Sequence, residues 1–158
     1  MKEVQCVLNP KYWLQKIPET VIPGKKKGEP DWLVDWQISK KLSADYARKE
    51  GRSHADALTP YGKQTTNSGH KNRWDLKVGM QCGRSKEVTY TRALGLTLLK
   101  YKGKTLRKSQ WKGIFVDHKE STKVWDCRLR NLQLLTHPEH TAKTKLDLQK
   151  RPAARADT

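Results

Sequence analysis

Apolar and polar residues alternate along "DWLVDWQIS", where every second residue is large and apolar: Trp32, Val34, Trp36 and Ile38. A period of two is typical of a half-buried β-strand. A helix that runs on into "KKLSADYARKEG" and ends at Gly51 fits almost as well, because glycine commonly ends a helix. Both interpretations are open at this point.

The same alternation returns in "WDLKVGMQ", and a "CGRS" turn then leads into the strand-like segment "EVTYT". Two such segments around a short turn predict a β-hairpin. The segment "RALGLTLLKY" follows, and Leu94, Leu98 and Tyr101 recur there at helical spacing. We therefore expect a hairpin, then a helix, and then the basic loop "KGKTLRKSQWKG".

Two earlier segments lack a regular pattern. The first, "IPETVIPGKKKGEP", contains three prolines and a lysine triplet, which predicts an extended linker, so residues 1–30 are expected to be peripheral. Residues 51–72 are mostly small and polar, which predicts a long loop with His54 and His70 as solvated side chains. The expected organisation is a basic, partly irregular extension over residues 1–72 and a core over residues 73–158.

The C-terminal part of the chain predicts two strands and a helix in close succession. "GIFVDH" indicates a short buried strand, Ile114 to Val116, whose end carries Asp117 and His118 at the edge of the core, and "RLRNLQLLT" indicates a second strand. Leu132 and Leu134 are expected on one face of that strand, with Leu129, Asn131, Gln133 and Leu135 on the other. Thr136 and Glu139 form a capping box, so a helix should begin there.

The formal net charge of +17 comes from 33 Lys and Arg against 16 Asp and Glu. A field of this sign attracts polyanions and opposes self-association, so we expect a monomer that binds nucleic acid. No segment approaches the roughly 20 apolar residues that cross a bilayer, and the N-terminus lacks the apolar core of a secretory signal. We therefore expect a soluble, cytoplasmic protein without a membrane partner.

The three cysteines, Cys6, Cys82 and Cys127, are widely spaced and never form a CxxC pair. This arrangement argues against a disulfide framework and against a cysteine zinc knuckle, so reduced thiols are expected. One cysteine and three histidines could together provide the ligands of a structural zinc site: Cys127, His118, His137 and His140. The spacing of Cys127 is unusual for such a site.

The order strand, loop, strand, helix resembles the ββα-metal finger of the HNH endonuclease family, particularly the small phage and intron homing endonucleases, whose cores run "VDHxD…NLxxNLxxVT…N". The resemblance is tight over residues 114–144 and looser over residues 73–101. It implies that Asp117 and His140 bind one divalent ion, that His118 is the general base, and that Asn131 holds the His-bearing loop. His137 is a rival of His140 in the same helical turn, and the spacing favours His140.

Phosphodiester hydrolysis explains why these residue types are needed. The attacking water must lose a proton near neutral pH, and histidine, with an unperturbed pKa of about 6.5, suits that task. A hard divalent ion such as Mg²⁺, or Mn²⁺, held by one carboxylate and one imidazole, absorbs charge on the phosphoryl and leaving oxygens. We expect the chain to turn after Asp117, so that Asp117 reaches the metal while His118 faces the water.

Basic residues close to this segment suit contacts with DNA phosphates: Arg128, Arg130, Lys143 and Lys145. The alternative interpretation of these residues is a solvated charged face. Arg92 matches an Arg of the homing endonucleases, and the resemblance implies that it also contacts DNA. The sequence also departs from the homing-enzyme pattern. His140 stands where many relatives have Asn, Thr91 replaces a frequent His, and the loop "KESTKVWDC" lacks the usual acidic and Asn-rich residues.

The sequence therefore predicts an α+β protein in which a small hairpin and a helix precede the ββα-metal finger, with residues 1–72 as an extension that contacts DNA. The function that the resemblance implies is metal-dependent hydrolysis of double-stranded DNA, which leaves 5′-phosphate and 3′-hydroxyl ends and uses no small-molecule cofactor. The alternative is a non-catalytic nucleic-acid-binding protein that uses the same finger as a scaffold.

Overall fold

Antiparallel sheets and three helices make up the part of the chain that the computed structural model describes, residues 3–64 and 73–149. This arrangement confirms an α+β protein. The strands and helices in chain order are β1 (Glu3–Gln5), β2 (Tyr12–Ile22), β3 (Trp32–Lys41), α1 (Ala44–Glu50), β4 (His54–Ala57), β5 (Tyr61–Gln64), β6 (Trp74–Val78), β7 (Val88–Thr89), α2 (Tyr90–Leu98), β8 (Ile114–His118), β9 (Leu132–Thr136) and α3 (His137–Gln149).

The N-terminal part forms a four-stranded sheet in the order β1-β2-β3-β4. The prediction of a peripheral, extended linker is wrong for β2, because Tyr12 and Leu14 are buried in the core and the strand pairs with β3 over most of its length. The register shifts between Lys16 and Thr20. Pro18 lies within that irregularity, where the missing N–H of proline does not interrupt regular pairing.

The two interpretations of the segment after residue 31 each hold for one part of it. Trp32, Val34, Trp36 and Ile38 are buried on strand β3, as their alternation predicts. The residues that follow β3 form a separate short helix, α1 (Ala44–Glu50). Its N-terminus is capped by the side chain of Ser43, and it ends at Gly51, whose φ of 68° is left-handed.

Residues 51–64 also differ from the predicted long loop, because β4 pairs with β3 and β5 pairs with β6. His54 is not a solvated side chain: its Nε2 lies 3.0 Å from a carboxylate oxygen of Glu3, and its ring packs at 5.4 Å from that of Trp13. Short polar strands of this kind show little hydrophobic alternation. His70 lies outside the described residues.

One hydrophobic core joins the N-terminal sheet to the hairpin and helix that follow it. The predicted hairpin is confirmed as β6 and β7, although β7 is short because α2 begins at Tyr90. The Tyr90 hydroxyl, which is fully buried, donates to the backbone oxygen of Trp36 at 2.6 Å. Both sides of residue 72 thus contribute to the same core, whereas the functional division at that residue stays a prediction.

The strand, strand, helix order of the C-terminal part is confirmed. β8 and β9 form an antiparallel pair, and Thr136 and Glu139 cap α3 through reciprocal hydrogen bonds of 2.9 and 3.4 Å. The second strand begins later than predicted, because Leu129–Asn131 form a 3₁₀ turn. The predicted strand faces of Leu129 and Asn131 are therefore wrong, whereas Leu132 and Leu134 are buried as expected.

Helix α2 lies against β8 at a close approach that requires glycine. A Cβ atom added to Gly95 would lie 2.6 Å from Cγ2 and 2.7 Å from Cγ1 of Val116. Those distances are well inside the 3.5–4.0 Å at which carbon atoms pack. The contact fixes the position of the strand that carries Asp117.

Gly95→Ala is expected to lower the free energy of unfolding by about 1–3 kcal/mol, because overpacking outweighs the better helix propensity of alanine. Urea denaturation measures the change. Val116→Ala in the same background removes the clashing methyl groups, so the double variant should lose less stability than the two single changes together. A Gly95→Ala protein as stable as the wild type would contradict this packing.

No helix among the described residues is long and apolar enough to span a membrane. The longest is α3, with 13 residues. Its charged composition suits a surface helix.

Candidate functional site

The carboxylate of Asp117 is the centre of the candidate site. It lies near the end of β8, where the residue is only 9% exposed. Gln133, its cross-strand partner on β9, donates from Nε2 to Oδ2 of Asp117 at 3.0 Å. The other carboxylate oxygen, Oδ1, lies 3.5 Å from Nε2 of His140. A strand and the following helix thus bring an aspartate and a histidine together.

The capped first turn of α3 determines which histidine reaches Asp117. His140 stacks on the ring of Phe115 at 5.3 Å between centroids, and His137 packs against the same ring at 5.7 Å. Of the two, His140 is the one whose ring nitrogen approaches the carboxylate of Asp117. The preference for His140 over His137 agrees with this geometry, whereas metal binding by either residue stays a prediction.

Lys143 brings a positive charge to the same carboxylate. Its Nζ lies 3.2 Å from Oδ2 of Asp117 and 3.1 Å from Oδ2 of Asp147, and it donates to the backbone oxygen of His118 at 3.2 Å. Burial alone would lower the pKa of Lys143, but the hydrogen bonds to Asp147 and Asp117 raise it above its ordinary value. This ammonium is therefore engaged by protein groups, and its predicted contact with DNA phosphate is untested.

His118 points away from Asp117. The pairing of β8 continues through His118, which lies opposite Leu132, and adjacent residues of a strand project to opposite faces. Nε2 of His118 lies 3.9 Å from Sγ of Cys127, which is buried. The turn that we expected after Asp117 is therefore absent. Burial lowers the pKa of His118, although the charge of Asp117 opposes this shift, so the imidazole is neutral at neutral pH.

Asn131 organises the loop that joins β8 to β9. Its Oδ1 accepts from the backbone N–H of Glu120 at 3.2 Å, and its Nδ2 donates to the backbone oxygens of Asp126 at 2.9 Å and Lys123 at 3.4 Å. The side chain is buried, so these bonds replace water for the peptide groups of the loop. This agrees with the loop-holding role that the resemblance implies.

The same loop is attached to the N-terminal sheet. Leu33 of β3 donates to the oxygen of Trp125 at 3.0 Å and accepts from the N–H of Cys127 at 2.9 Å. Arg128 makes a bidentate ion pair with Asp126, at 2.8 Å for each hydrogen bond, and a further contact with Glu19 of β2. Arg128 is thus held by carboxylates, and contact with phosphate would require it to leave them.

The remaining predicted DNA-binding residues differ in their surroundings. Arg92 is partly buried and donates to the backbone oxygen of Ile114 at 3.1 Å, so it supports β8. The side chain of Arg130 is 67% exposed and lies 3.3 Å from Glu19. Lys145 is exposed on α3. Only Arg130 and Lys145 of the five therefore present largely exposed side chains, and no contact of any of them with DNA is tested.

The sequence did not identify two residues that contact Asp117 as its partners. Gln133 was missed as part of the site, and Lys143 was given another role. Gln133 appeared in the sequence only as a strand residue, although the register of a β8–β9 hairpin would have placed it opposite Asp117. Lys143 was expected to face DNA, because no sequence pattern specifies that an ammonium turns back onto a carboxylate. Both contacts depend on the relative position of β9 and α3.

The described residues contain no group of three or more His, Cys, Asp or Glu side chains that could hold a metal ion together. The four-residue zinc set is not assembled: Cys127 approaches His118 on one face of β8, whereas His140 approaches Asp117 on the other. The pair Asp117 and His140 remains. Donors 3.5 Å apart can both reach one cation at about 2.1 Å.

Comparisons of the chain with protein-family models, with curated proteins and with solved structures find no match. The resemblance to HNH endonucleases therefore stays a prediction from the sequence. The structure adds to it an antiparallel strand pair, a capped helix, and an aspartate and a histidine that meet between them.

Asn131→Asp should destabilise the protein by about 2–4 kcal/mol, because it places a buried carboxylate against backbone oxygens and removes two donors. Chemical denaturation measures the loss, and faster amide exchange at Glu120 would show that the loop has loosened. Arg130→Ala changes the neighbouring exposed residue and should cost no more than about 1 kcal/mol. Equal effects of the two substitutions would contradict the role given to Asn131.

Proposed function

We propose that the protein is a metal-dependent DNA endonuclease of the HNH type. The observation that carries the proposal is the approach of Asp117 Oδ1 to His140 Nε2 at 3.5 Å, at the junction of β8 with the first turn of α3. A carboxylate and an imidazole in one partly dry site are suitable ligands for a divalent cation. The strand–strand–helix order around them supports the same family.

Asp117 and His140 would hold one divalent ion, Mg²⁺ or Mn²⁺, and leave most of its coordination positions to water and substrate oxygens. When bound, the ion supplies positive charge for the phosphoryl and leaving oxygens. Gln133 and Lys143 engage Oδ2 of Asp117 and leave Oδ1 directed at His140. Such secondary contacts fix the orientation of a ligand carboxylate.

His118 is the proposed general base. It is half-buried and its pKa is lowered by burial, so the ring is neutral and able to accept a proton from water. Because its side chain leaves the face of β8 opposite to Asp117, the scissile phosphate must lie across the end of that strand to reach both residues. The loop that Asn131 holds determines the position of His118 there.

Double-stranded DNA is the proposed substrate, and the expected ends are 5′ phosphate and 3′ hydroxyl. The net charge of +17 favours a polyanion and supplies affinity that does not depend on sequence. A monomer is expected, because the same charge opposes self-association.

A nucleic-acid-binding protein without catalysis is the second candidate. Two observations favour it: the ammonium of Lys143 already neutralises Asp117, and the ring of His118 faces Cys127. In that case β8, β9 and α3 serve as a scaffold and the basic surface alone is functional. The two candidates differ in whether DNA is cut.

Wild-type protein should cleave plasmid DNA in the presence of Mg²⁺ or Mn²⁺, and His118→Ala should reduce the rate by about 10²–10⁴, as loss of a general base does. Asp117→Ala and His140→Ala should also lose cleavage. His137→Ala is the matched control, because it removes a neighbouring histidine of the same helical turn and should leave the rate close to wild type. Gel electrophoresis of nicked and linear products gives the rates.

Duplex binding in EDTA must be measured for every variant, so that loss of cleavage is separated from loss of folding or affinity. Intact DNA with every divalent ion tried, together with retained binding by the wild type, would establish the binding-only candidate. An equal loss of cleavage in His137→Ala and His140→Ala would count against the assignment of His140.

Lys143→Met should strengthen the binding of Mn²⁺ to the DNA-free protein by about five- to tenfold, because it removes a positive charge beside Asp117. Calorimetric titration with Mn²⁺ measures the affinity. Lys145→Met removes the same charge from an exposed position of the same helix and should change the affinity less than twofold. Weaker metal binding by Lys143→Met would mean that the ammonium chiefly orients Asp117.

A further inference from the structure

A second group of basic residues borders the candidate site, although none of them was singled out in the sequence. An open cleft of about 400 Å³ runs between the segment after α2 and strand β9. Its basic lining residues are Lys100, Lys102 and Lys119. Three consecutive residues of β9, Leu132, Gln133 and Leu134, also line it, so the cleft follows the edge of that strand.

The three lysines are exposed, and among the described residues none of them forms a salt bridge, although the ammonium of Lys102 lies over the ring of Tyr101 at 5.3 Å from its centroid. Among the described residues, the lysines that form salt bridges with carboxylates are Lys16, Lys63, Lys123 and Lys143, and those of the cleft are not among them. Lys119 directly follows His118, and its N–H donates to the backbone oxygen of Asn131 at 2.7 Å. The base of this side chain is therefore fixed by the same residue that holds the loop.

Lys102 occupies a backbone position that lysine does not favour. Its φ is 49°, and the next residue, Gly103, has a φ of 80°. Tyr101 and Lys104 exchange backbone hydrogen bonds of 2.8 and 3.0 Å around these two residues, which is the pattern of a two-residue turn that usually selects Asn or Gly. A left-handed lysine costs stability, and asparagine or glycine would fit this position better.

One carboxylate faces the cleft, but it is already satisfied. Oε1 of Glu139 accepts from the N–H and hydroxyl of Thr136, at 2.9 Å each, and from the hydroxyl of Tyr101 at 2.8 Å. The bond from the Thr136 backbone, then those from Tyr101 and the Thr136 hydroxyl, and also the charge of Lys102 lower the pKa of Glu139. Three ammonium groups and this one carboxylate leave the cleft positive.

Gln133 connects the cleft to the candidate site. It lines the cleft, and its Nε2 donates to Asp117 Oδ2 at 3.0 Å. The two sites are thus separated by one side chain. Adjacent phosphates of a DNA strand advance by roughly 3.4 Å along the helix axis, so a phosphate within a few nucleotides of one held at Asp117 could reach the lysines.

The geometry points to a backbone-phosphate subsite formed by Lys100, Lys102 and Lys119, which holds the DNA strand beside the bond that is cut. This inference rests on the proposed function, because it takes the position of the scissile phosphate from Asp117 and His140. The subsite reads no base sequence and supplies affinity and register.

The test compares two triple variants that lose the same charge. One carries Lys100→Gln, Lys102→Asn and Lys119→Gln. The control carries Lys86→Gln, Lys108→Gln and Lys112→Gln, three exposed lysines that lie outside both the cleft lining and residues 1–72. Fluorescence anisotropy of a labelled duplex in EDTA gives the affinity of each protein between about 50 and 200 mM salt.

The cleft triple should lower affinity at low salt by tenfold or more. The slope of log affinity against log salt should become shallower by about 2–3, at about 0.9 for each lost phosphate contact. The control triple should change the slope by less than half as much. Equal changes in the two triples would mean that only total charge matters and would overturn the subsite. A wild type that binds no DNA would overturn the proposed function with it.

Lys102→Asn alone separates binding from folding. Asparagine tolerates the left-handed turn better than lysine, so the melting temperature should stay equal or rise. DNA affinity should fall and the salt slope should become shallower by about 0.9. Unchanged affinity and slope in a stable Lys102→Asn protein would exclude Lys102 from the subsite.

Discussion

The arrangement at the end of β8 depends on the buried carboxylate of Asp117. A charge at 9% exposure is costly unless polar groups surround it, and three side chains from two elements approach it here. Gln133 comes from β9, and His140 and Lys143 come from α3. The strand pairing and the helix cap therefore serve one requirement, which is to bring polar partners to this carboxylate.

The N-terminal sheet supports this arrangement from the other face of β8. The backbone N–H and oxygen of Leu33 both form hydrogen bonds with the loop that Asn131 organises. The carboxylate of Asp35 accepts from the N–H of Leu129 at 3.2 Å. Cys127, which faces His118, is buried in the core shared with β3. The segment expected to lie outside the core thus helps to fix the loop after His118.

Sequence patterns predicted the elements whose periodicity is strong or whose ends are capped. The β6–β7 hairpin, helix α2, strand β8 and the start of α3 are of this kind, whereas the alternation along β3 left a helix almost as good a fit as a strand. Strand β2 was missed because Pro18 and the lysine triplet suggested a linker, whereas a local irregularity accommodates the proline. The meeting of Asp117 with His140 agreed with expectation, but the direction of His118 did not, because it depends on where strand pairing stops. The contacts of Lys143 depend on how α3 packs against β8, and the hydrophobic periodicity of a sequence does not specify such packing.

If the protein binds DNA as proposed, the distribution of charge indicates that most of the affinity comes from outside the β8–β9–α3 unit. Lys143, which contacts Asp117, and Arg128, which is paired with Asp126 and Glu19, are both held by carboxylates and add little net charge to the unit. An excess of +17 must then be carried by residues without such partners. The lysines of the loop after α2 and the residue after His118 form no salt bridge among the described residues, and they line a cleft shared with Gln133, which bonds to Asp117. The charge of Lys143 is used to hold the carboxylate of Asp117 in place. Contacts with the phosphate backbone would then fall to the lysines of the neighbouring cleft.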